Sequence, residues 1–313
     1  MRLGLSSLVA LGLIAAATAW RAQSREAAAL AAQGTEGSFV TVDGQRVHYL
    51  QVGQGPDVVL IHGASGSLRD FTFALMPRLA ERYRVTAFDR PGLGLSDPFA
   101  DGGTGLLAQA RILRKAGEAL GITNPVLVGH SYGGSVALAW ALETPPEALV
   151  LIAAPSLPWP GGLDPWYRLN DSRIGRAVFV PLAAAWVPMS FVRRAIQGVF
   201  APETAPAGYA DHVGVALTSR ASVLAINAAQ VNALRDEIVA MEPRYRTLTL
   251  PVELVHGDAD TIVPLAIHSG PLSKLLPNAQ LTVLAGAGHM PQQTRPDAVI
   301  AAIDRAAARA GLR

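Results

Sequence analysis

The fold is indicated most sharply by the stretch Val126-Leu127-Val128-Gly129-His130-Ser131-Tyr132-Gly133. Through the pattern G-x-S-x-G, it joins an apolar run typical of a buried strand to residues Tyr132–Glu143, typical of a helix. A serine on so tight a turn adopts a strained backbone, and glycines two residues before and after it avoid clashes. The turn also places the Tyr132 amide at a helix N-terminus, where free N–H groups favour a developing oxyanion. The pattern predicts Ser131 as a nucleophile; the competing interpretation is a glycine-rich turn with an ordinary serine cap.

Short apolar runs alternate with helical segments on both sides of this turn. The predicted strands are Val58–Ile61, Val85–Phe88, Val126–Val128, Ala148–Ile152, Val252–His256 and Gln280–Leu284. The predicted helices are Phe71–Arg82, Gly105–Leu120, Tyr132–Glu143, Leu265–Leu276 and Pro296–Ala310. Ahead of them, Phe39–Val42 and Arg46–Val52 flank Asp43-Gly44, a strong hairpin signal. This rhythm predicts an α/β fold with a mostly parallel sheet flanked by helices, opened by two antiparallel strands.

The alternation stops for about a hundred residues in the middle of the chain. Residues 155–250 show helical periodicity and several prolines but no convincing strand, and they begin with the loop-forming segment Pro155–Gly162. We interpret 155–250 as a helical cap inserted into an α/β core that comprises 37–154 and 251–313.

The N-terminus differs in composition from the rest of the chain. After Arg2, the run Leu3–Trp20 carries no charge, which is just long enough to span a bilayer as an uncleaved anchor. Ala17-Thr18-Ala19 also fits the small-x-small pattern of signal-peptide cleavage. Residues 1–36 are predicted to be an anchor or signal segment followed by a spacer. Membrane association through this single segment is expected, the alternative being export after cleavage.

Composition and charge narrow the classes of function. Half of the 313 residues are hydrophobic, so the chain can bury a large core. The formal net charge is +2, and residues 1–34 account for it with three arginines against one glutamate. The neutral remainder has no basic surface typical of nucleic-acid binding, so we expect no nucleic-acid partner. Because there is no cysteine, a thiolate nucleophile and Cys-ligated zinc are excluded.

A serine hydroxyl needs a base to accept its proton, and seven histidines compete for this role. His289 is preferred because it follows the late strand Gln280–Leu284 through a flexible glycine-containing turn. That turn would present it at the carboxyl end of a strand, where open α/β sheets bind ligands. His62 and His130 lie beside glycines and are expected to shape their loops by hydrogen bonding. The other four, His48, His212, His256 and His268, are interpreted as structural.

Two carboxylates follow the strand Val252–His256, at Asp258 and Asp260, and chain order alone leaves both open. In the segment Gly257–Pro264 the chain resembles the α/β-hydrolase family, whose pattern here is G-x-x-D-x-x-V-P. The resemblance selects Asp260 as the acid that orients His289. Asp258 is then a turn residue that binds backbone amides.

The same resemblance extends from about Phe39 to the C-terminus, except for the insertion. His62-Gly63-Ala64 looks like the family's H-G-x loop, which implies the Ala64 amide as the oxyanion partner of the Tyr132 amide. The loop Asp89–Asp97 is similar to a recurrent family loop, to which we assign a structural role.

The resemblance implies a serine hydrolase that works through an acyl-enzyme intermediate and needs neither metal nor cofactor. A serine at the turn argues against relatives with a carboxylate nucleophile, such as dehalogenases and epoxide hydrolases. The default partner is a small-molecule acyl substrate, a carboxylic ester. C–C bond hydrolase, aminopeptidase, perhydrolase and acyltransferase activities stay open, as does a non-catalytic binding protein.

Bulky apolar residues in the insertion indicate the character of the substrate. The insertion follows the strand Ala148–Ile152, which should place it over the carboxyl ends of the strands and over Ser131. A few of its aromatic residues should line the remaining cavity, while most should only attach cap to core. These residues are Trp159, Trp166, Tyr167, Phe179, Trp186, Phe191 and Phe200. We therefore expect a preference for apolar, largely uncharged acyl groups.

Overall fold

A computed structural model describes residues 5–32, 36–162 and 164–313. Within these residues, eight strands form one sheet in the order β1-β2-β4-β3-β5-β6-β7-β8. The strands are β1 Ser38–Val42, β2 Gln45–Val52, β3 Asp57–Ile61, β4 Arg84–Phe88, β5 Val126–His130, β6 Ala148–Ile152, β7 Val252–Gly257 and β8 Ala279–Leu284. The β1–β2 and β2–β4 pairs are antiparallel, and every other pair is parallel. The predicted α/β class and mostly parallel sheet are confirmed.

Fourteen α-helices accompany the sheet in the described part of the chain. They are α1 Leu5–Ala32, α2 Arg69–Thr72, α3 Leu75–Leu79, α4 Leu106–Ala119, α5 Tyr132–Glu143, α6 Pro165–Asp171, α7 Val180–Trp186, α8 Met189–Val199, α9 Tyr209–His212, α10 Val215–Thr218, α11 Ala221–Met241, α12 Ser269–Leu275, α13 Pro291–Thr294 and α14 Pro296–Arg309. A π-helical turn, Gly175–Phe179, precedes α7, and a 3₁₀ segment, Glu242–Thr247, follows α11. Helices α6 to α11 all lie between β6 and β7 in the chain.

The opening hairpin turns at Asp43 and Gly44, which both have positive φ angles, 51° and 78°. Positive φ at both central residues is what a tight type I′ hairpin turn requires. A single helix was expected over Phe71–Arg82, but the structure has two short ones, α2 and α3. Pro77 accounts for the restart, because proline is tolerated in the first turn of a helix and not in its interior.

The sheet has a separate hydrophobic core on each face. Val59 and Ile61 of β3 point into the core shared with α4 and α5. Val58 and Leu60, their neighbours along the strand, point into the core shared with α3 and α14. Successive side chains of a strand face opposite sides, so a strand buried on both faces reads as a continuous apolar run. Because the central strands β4, β3, β5, β6 and β7 run parallel, their carboxyl ends lie at the same edge of the sheet, and the loops that follow them start there.

Helix α1 lies against the helices between β6 and β7. Arg21 and Arg25 donate to the carbonyl oxygen of Ala185 at 2.8 Å, and Arg25 also reaches that of Val187 at 3.1 Å. The indole of Trp186 donates to the Thr18 hydroxyl at 3.1 Å. As far as Ala32, the segment expected as a spacer after Trp20 is thus a continuation of helix α1, and it binds the C-terminal end of α7.

A transmembrane span is not supported for the described part of this segment. Among the described residues no single helix combines the length and hydropathy needed to cross a bilayer. A bent pair, Gly175–Trp186 and Met189–Val199 with 99° between them, meets those measures by length and composition only. In α1 the apolar run ends where Arg21, Arg25 and Glu26 begin. Residues 1–4 of the predicted anchor lie outside the described residues.

Candidate active site

The turn between β5 and α5 has the strained geometry that the sequence pattern predicts. Ser131 has φ 50° and ψ −127°, outside the regions usual for a residue with a side chain. A Cβ on Gly129 would lie 2.4 Å from the Gly133 carbonyl oxygen, and one on Gly133 would lie 2.2 Å from that of Ile61. Neither position has room for a side chain, so both glycines are needed for the turn to form.

Ser131, His289 and Asp260 come together although they follow three different strands. His289 Nε2 lies 2.9 Å from Ser131 Oγ, and His289 Nδ1 lies 2.7 Å from Asp260 Oδ2. All three residues are buried. With the Nδ1 proton bonded to the carboxylate, Nε2 is free to accept the serine proton.

Asp260 is held as an anion by its surroundings. Its Oδ1 atom accepts from the backbone amides of Ile262 and Val263, both at 2.9 Å. Burial by itself would raise the pKa of Asp260, but hydrogen bonds from His256 and His289 and the positive charge of a protonated His289 hold it well below its usual range. A carboxylate that stays ionised can stabilise an imidazolium beside it.

His256 was interpreted as structural from the sequence, and the structure gives it a contact in the site. Its Nε2 lies 3.3 Å from Asp260 Oδ2 and 2.7 Å from the Val263 carbonyl oxygen. The only signal in the sequence is its place near the end of β7, four residues before Asp260. Asp258, in contrast, accepts from the Gly286 amide at 2.7 Å, the turn contact expected of it.

Of the two histidines expected to shape their own loops, His62 contacts its own loop, whereas His130 contacts the loop of His289. His130 Nε2 donates to the His289 carbonyl oxygen at 2.9 Å, and His62 Nδ1 lies 2.9 Å from the Gly63 carbonyl oxygen. Burial, followed by the repulsion of His289 for His130 and of Arg90 for His62, lowers the pKa of each to about 3, so both rings are neutral. Over the described ranges, no group of three or more His, Asp or Glu side chains is arranged to hold a metal ion.

The loop after β3 borders Ser131. A Cβ on Gly63 would lie 3.0 Å from the Ser131 Cβ, and Ala64 lines the same cavity as Ser131. Ser65 follows with φ 54°, and its amide donates to Asn227 Oδ1 of α11 at 2.7 Å. Tyr132 is the first residue of α5. Ala64 thus lines the same cavity as Ser131, and Tyr132 directly follows Ser131 in the chain. Their role as oxyanion donors stays a prediction.

A cavity of about 450 Å³ opens above Ser131 and His289. Most of its lining comes from apolar side chains of the segment between β6 and β7, among them Trp166, Val187, Phe191, Val192, Phe200 and Leu224. Of the seven aromatic residues singled out from the sequence, Trp166, Tyr167, Phe191 and Phe200 line the cavity. Trp186 instead contacts α1, where Arg21 lies over its ring.

The buried residue Asp70 lines the cavity, although no sequence motif indicates a role for it. Asp70 of α2 accepts a hydrogen bond from the hydroxyl of Tyr209 in α9. Burial raises the pKa of Asp70 to about 6, against the opposing effects of Tyr209 and of the charge on His289. The pair links the core to the helices above the cavity.

A serine on a strand-to-helix turn, bonded through a histidine to an aspartate at the carboxyl edge of a parallel sheet, is the arrangement of α/β hydrolases. The chain belongs to the alpha/beta hydrolase family, whose model matches residues 58–302.

The individual relatives and the similar solved structure differ in what their names describe. An uncharacterised protein of Mycobacterium tuberculosis is 29% identical over 283 residues, covering 85% of this chain and 80% of that protein. Haloalkane dehalogenase 2 of Mycobacterium bovis is 26% identical, covering 82% of this chain and 90% of the enzyme. The crystal structure of the esterase RhEst1 from Rhodococcus sp. ECU1013 matches with a TM-score of 0.66 at 24% identity, over 85% of this chain and 96% of that one.

Proposed function

We propose that this protein is a serine hydrolase for small, largely apolar carboxylic esters or related acyl compounds. The observation that carries the proposal is the unbroken series of contacts from Ser131 Oγ through His289 to Asp260, at the base of an apolar cavity. The esterase among the structural neighbours is compatible with it. The dehalogenase relative is less so, because this chain has serine where a carboxylate nucleophile would be needed.

The chemistry follows from the positions of the proton-carrying atoms. Ser131 Oγ forms a bond to the acyl carbon while its proton moves to His289 Nε2. The C–O bond to the leaving alcohol then breaks, and His289 returns the proton to that alcohol. Water, deprotonated in turn by His289, attacks the acyl carbon. The bond from that carbon to Ser131 Oγ then breaks, His289 returns the proton to Oγ, and the acid is released. Asp260 holds the ring orientation and stabilises the imidazolium in both halves.

Charge on the former carbonyl oxygen needs donors on the side away from His289. The backbone amides of Ala64 and Tyr132 are the proposed donors. Fixed amides aimed at a developing oxyanion contribute more than flexible ones, because they need not reorganise as the charge forms.

The apolar cavity supports a preference for acyl chains with several methylene groups. Each buried CH₂ contributes up to about 0.8 kcal/mol, or nearly fourfold in kcat/KM. We expect kcat/KM for p-nitrophenyl esters to rise from acetate onward until the cavity is full. A flat profile to octanoate, or a clear preference for charged or peptide substrates, would contradict an apolar acyl site.

The direct test is Ser131→Ala, compared with Ser67→Ala, which changes a different serine of the same cavity wall. Ser131→Ala should lose about a millionfold in kcat and all covalent labelling by a fluorophosphonate, with the fold kept. Ser67→Ala should retain both properties. Wild-type turnover in Ser131→Ala would remove the proposed nucleophile.

Product analysis separates the alternatives that share this triad. A C–C hydrolase would cleave a β-diketone-like acid, and an aminopeptidase would release the N-terminal residue of a peptide. A perhydrolase would form a peracid from an acid and peroxide. An acyltransferase would transfer the acyl group of an ester to an added alcohol. Rapid, complete fluorophosphonate labelling of Ser131 would argue against a non-catalytic binding protein.

For localisation, we propose membrane association through the N-terminal segment, with export after cleavage as the alternative. The exposed apolar side chains of α1, including Leu8, Leu11, Leu13 and Ile14, support it. Vesicle flotation of the full chain should place it with the lipid fraction. A mature chain that begins at Trp20 would instead establish cleavage.

A further inference from the structure

Arg90, the residue after Asp89 in the loop that follows β4, is completely buried behind the loop of Ala64. Its Nε donates to the carbonyl oxygen of His62 at 3.0 Å, and its Nη2 donates to that of Gly63 at 3.0 Å. Its Nη1 donates to the side-chain oxygens of Gln109 and Gln230, at 2.8 and 2.7 Å. The guanidinium therefore holds two successive carbonyl groups of the loop that borders Ser131.

Arg90 also contacts Tyr132, whose backbone amide is the second proposed oxyanion donor. Its guanidinium carbon lies 4.3 Å from the centre of the Tyr132 ring, and Gln109 donates to the Tyr132 hydroxyl at 3.1 Å. The buried Arg90 guanidinium thus contacts the ring of Tyr132, one proposed donor, and the peptide group that contains the Ala64 amide, the other.

The contact with Gly63 acts on the Ala64 amide through a shared peptide group. The Gly63 carbonyl and the Ala64 N–H belong to one peptide bond, which is trans because the described chain has its cis bond at Ala201–Pro202 alone. In a trans peptide the C=O and N–H point in opposite directions. A carbonyl directed at Arg90 therefore directs the Ala64 N–H away from Arg90.

His62 completes the hold on the same carbonyl. The Arg90 backbone amide donates to His62 Nε2 at 3.0 Å, so that nitrogen carries no proton in the neutral ring. The proton is then on Nδ1, which donates to the Gly63 oxygen at 2.9 Å. Two donors on one carbonyl oxygen polarise the peptide and make its N–H a stronger donor.

The charge of Arg90 is not cancelled at close range. Among the ion pairs of the described residues none includes Arg90. The nearby carboxylate of Asp89 instead binds His48 and the Leu68 amide, both at 2.7 Å. Burial lowers the pKa of Arg90 only to about 10, which leaves the guanidinium charged at neutral pH. Burying a charge is unfavourable, so its position calls for a role that uses the charge.

We propose that Arg90 is a positioning residue for the oxyanion site, which fixes and polarises the Gly63–Ala64 peptide so that the Ala64 N–H is aimed and strengthened. This inference rests on the proposed function, because it concerns the charge that forms when Ser131 attacks an acyl carbon. Arg90 acts through the peptide and does not touch the substrate.

A purely structural role makes a different prediction. Through Gln230, Arg90 also connects the core to α11, so its loss would loosen that helix whatever the chemistry. Arg235→Met is the matched control, because it removes an arginine of α11 whose Nε donates to the Trp159 carbonyl oxygen at 2.9 Å.

The test measures ester hydrolysis and inhibition by butylboronic acid in wild type, Arg90→Met, Arg90→Lys and Arg235→Met. Boron accepts a bond from Ser131 Oγ as the serine proton passes to His289, and the adduct is a tetrahedral anion like the reaction intermediate. Deleting an oxyanion donor costs about 10² to 10³ in kcat. Weakening one should cost about tenfold to a hundredfold in Arg90→Met, with KM within about threefold and the boronate inhibition constant raised by a similar factor.

Arg90→Lys keeps the charge but cannot donate to both carbonyl groups in the same geometry. Its losses in kcat and in boronate inhibition should therefore be smaller than those of Arg90→Met and similar to each other. It also keeps the test open if Arg90→Met does not fold. The inference is overturned if Arg90→Met, or Arg90→Lys where Arg90→Met does not fold, stays within twofold of wild type in both measurements, or if Arg235→Met shows the same losses. A wild type that neither hydrolyses esters nor reacts with a fluorophosphonate would instead refute the proposed function itself.

Discussion

The Oδ2 atom of Asp260 lies 2.7 Å from Nδ1 of His289. Because this contact selects the tautomer of His289, Asp260→Asn should lower kcat by about four orders of magnitude while the fold is kept. Asp258→Asn, two residues earlier in the same loop, should affect stability at most. Steady-state kinetics on both variants gives the answer, and a reversed outcome would make Asp258 the acid of the site.

The turn glycines predict a sharp difference between two glycine substitutions. In Gly133→Ala the new Cβ would lie 2.2 and 2.5 Å from the carbonyl oxygens of Ile61 and His62. We expect a loss of more than about 3 kcal/mol in the free energy of unfolding, or failure to fold. Gly198→Ala in α8 has open space around the added carbon and should gain up to about 1 kcal/mol. Urea unfolding distinguishes them, and equal stabilities would contradict the described turn.

Asp70 predicts a specific dependence of stability on pH. Its pKa is raised from 3.8 to about 6, mainly by burial. The folded state therefore holds the proton more tightly than the unfolded state. Below about pH 4 the raised pKa of Asp70 contributes about 3 kcal/mol to the free energy of unfolding. This contribution is lost as the pH rises from about 4 to about 6.

Asp70→Asn should remove this dependence, so that its stability relative to wild type increases between pH 4.5 and 7. Asp236→Asn, which changes an exposed acid of α11, should follow the wild-type curve. Urea midpoints at several pH values test the prediction, and parallel curves for wild type and Asp70→Asn would refute it.

The contact between α1 and α7 predicts that the N-terminal helix stabilises the structure above the cavity. Arg25 binds carbonyl oxygens at the C-terminal end of α7, where unpaired carbonyls and the helix dipole favour a cation. Arg25→Ala should lower the free energy of unfolding by about 1 to 2 kcal/mol. The exposed Arg173→Ala is the control, and thermal melts that coincide with wild type for both variants would show that α1 contributes nothing through Arg25.

Patterns confined to a few neighbouring residues predicted much of this protein. The elbow around Ser131 and the Asp43-Gly44 hairpin are local, since steric clashes within the turn decide which residues fit. The alternating apolar runs predicted the parallel sheet because a strand buried on both faces must be apolar at successive positions. The glycine-containing turn after a late strand indicated His289, and the family resemblance indicated Asp260.

Other features depended on contacts between residues far apart in the chain. The raised pKa of Asp70, the contact of His256 with Asp260 and the attachment of α1 to α7 have no local signature. Arg90 is the clearest case: its loop was predicted from sequence as structural, yet its side chain meets Gly63, Gln230 and Tyr132 only after β3, β4, β5 and α11 have packed together. Burial sets the strength of these polar contacts, and burial is decided by tertiary packing, not by the residues on either side in the sequence.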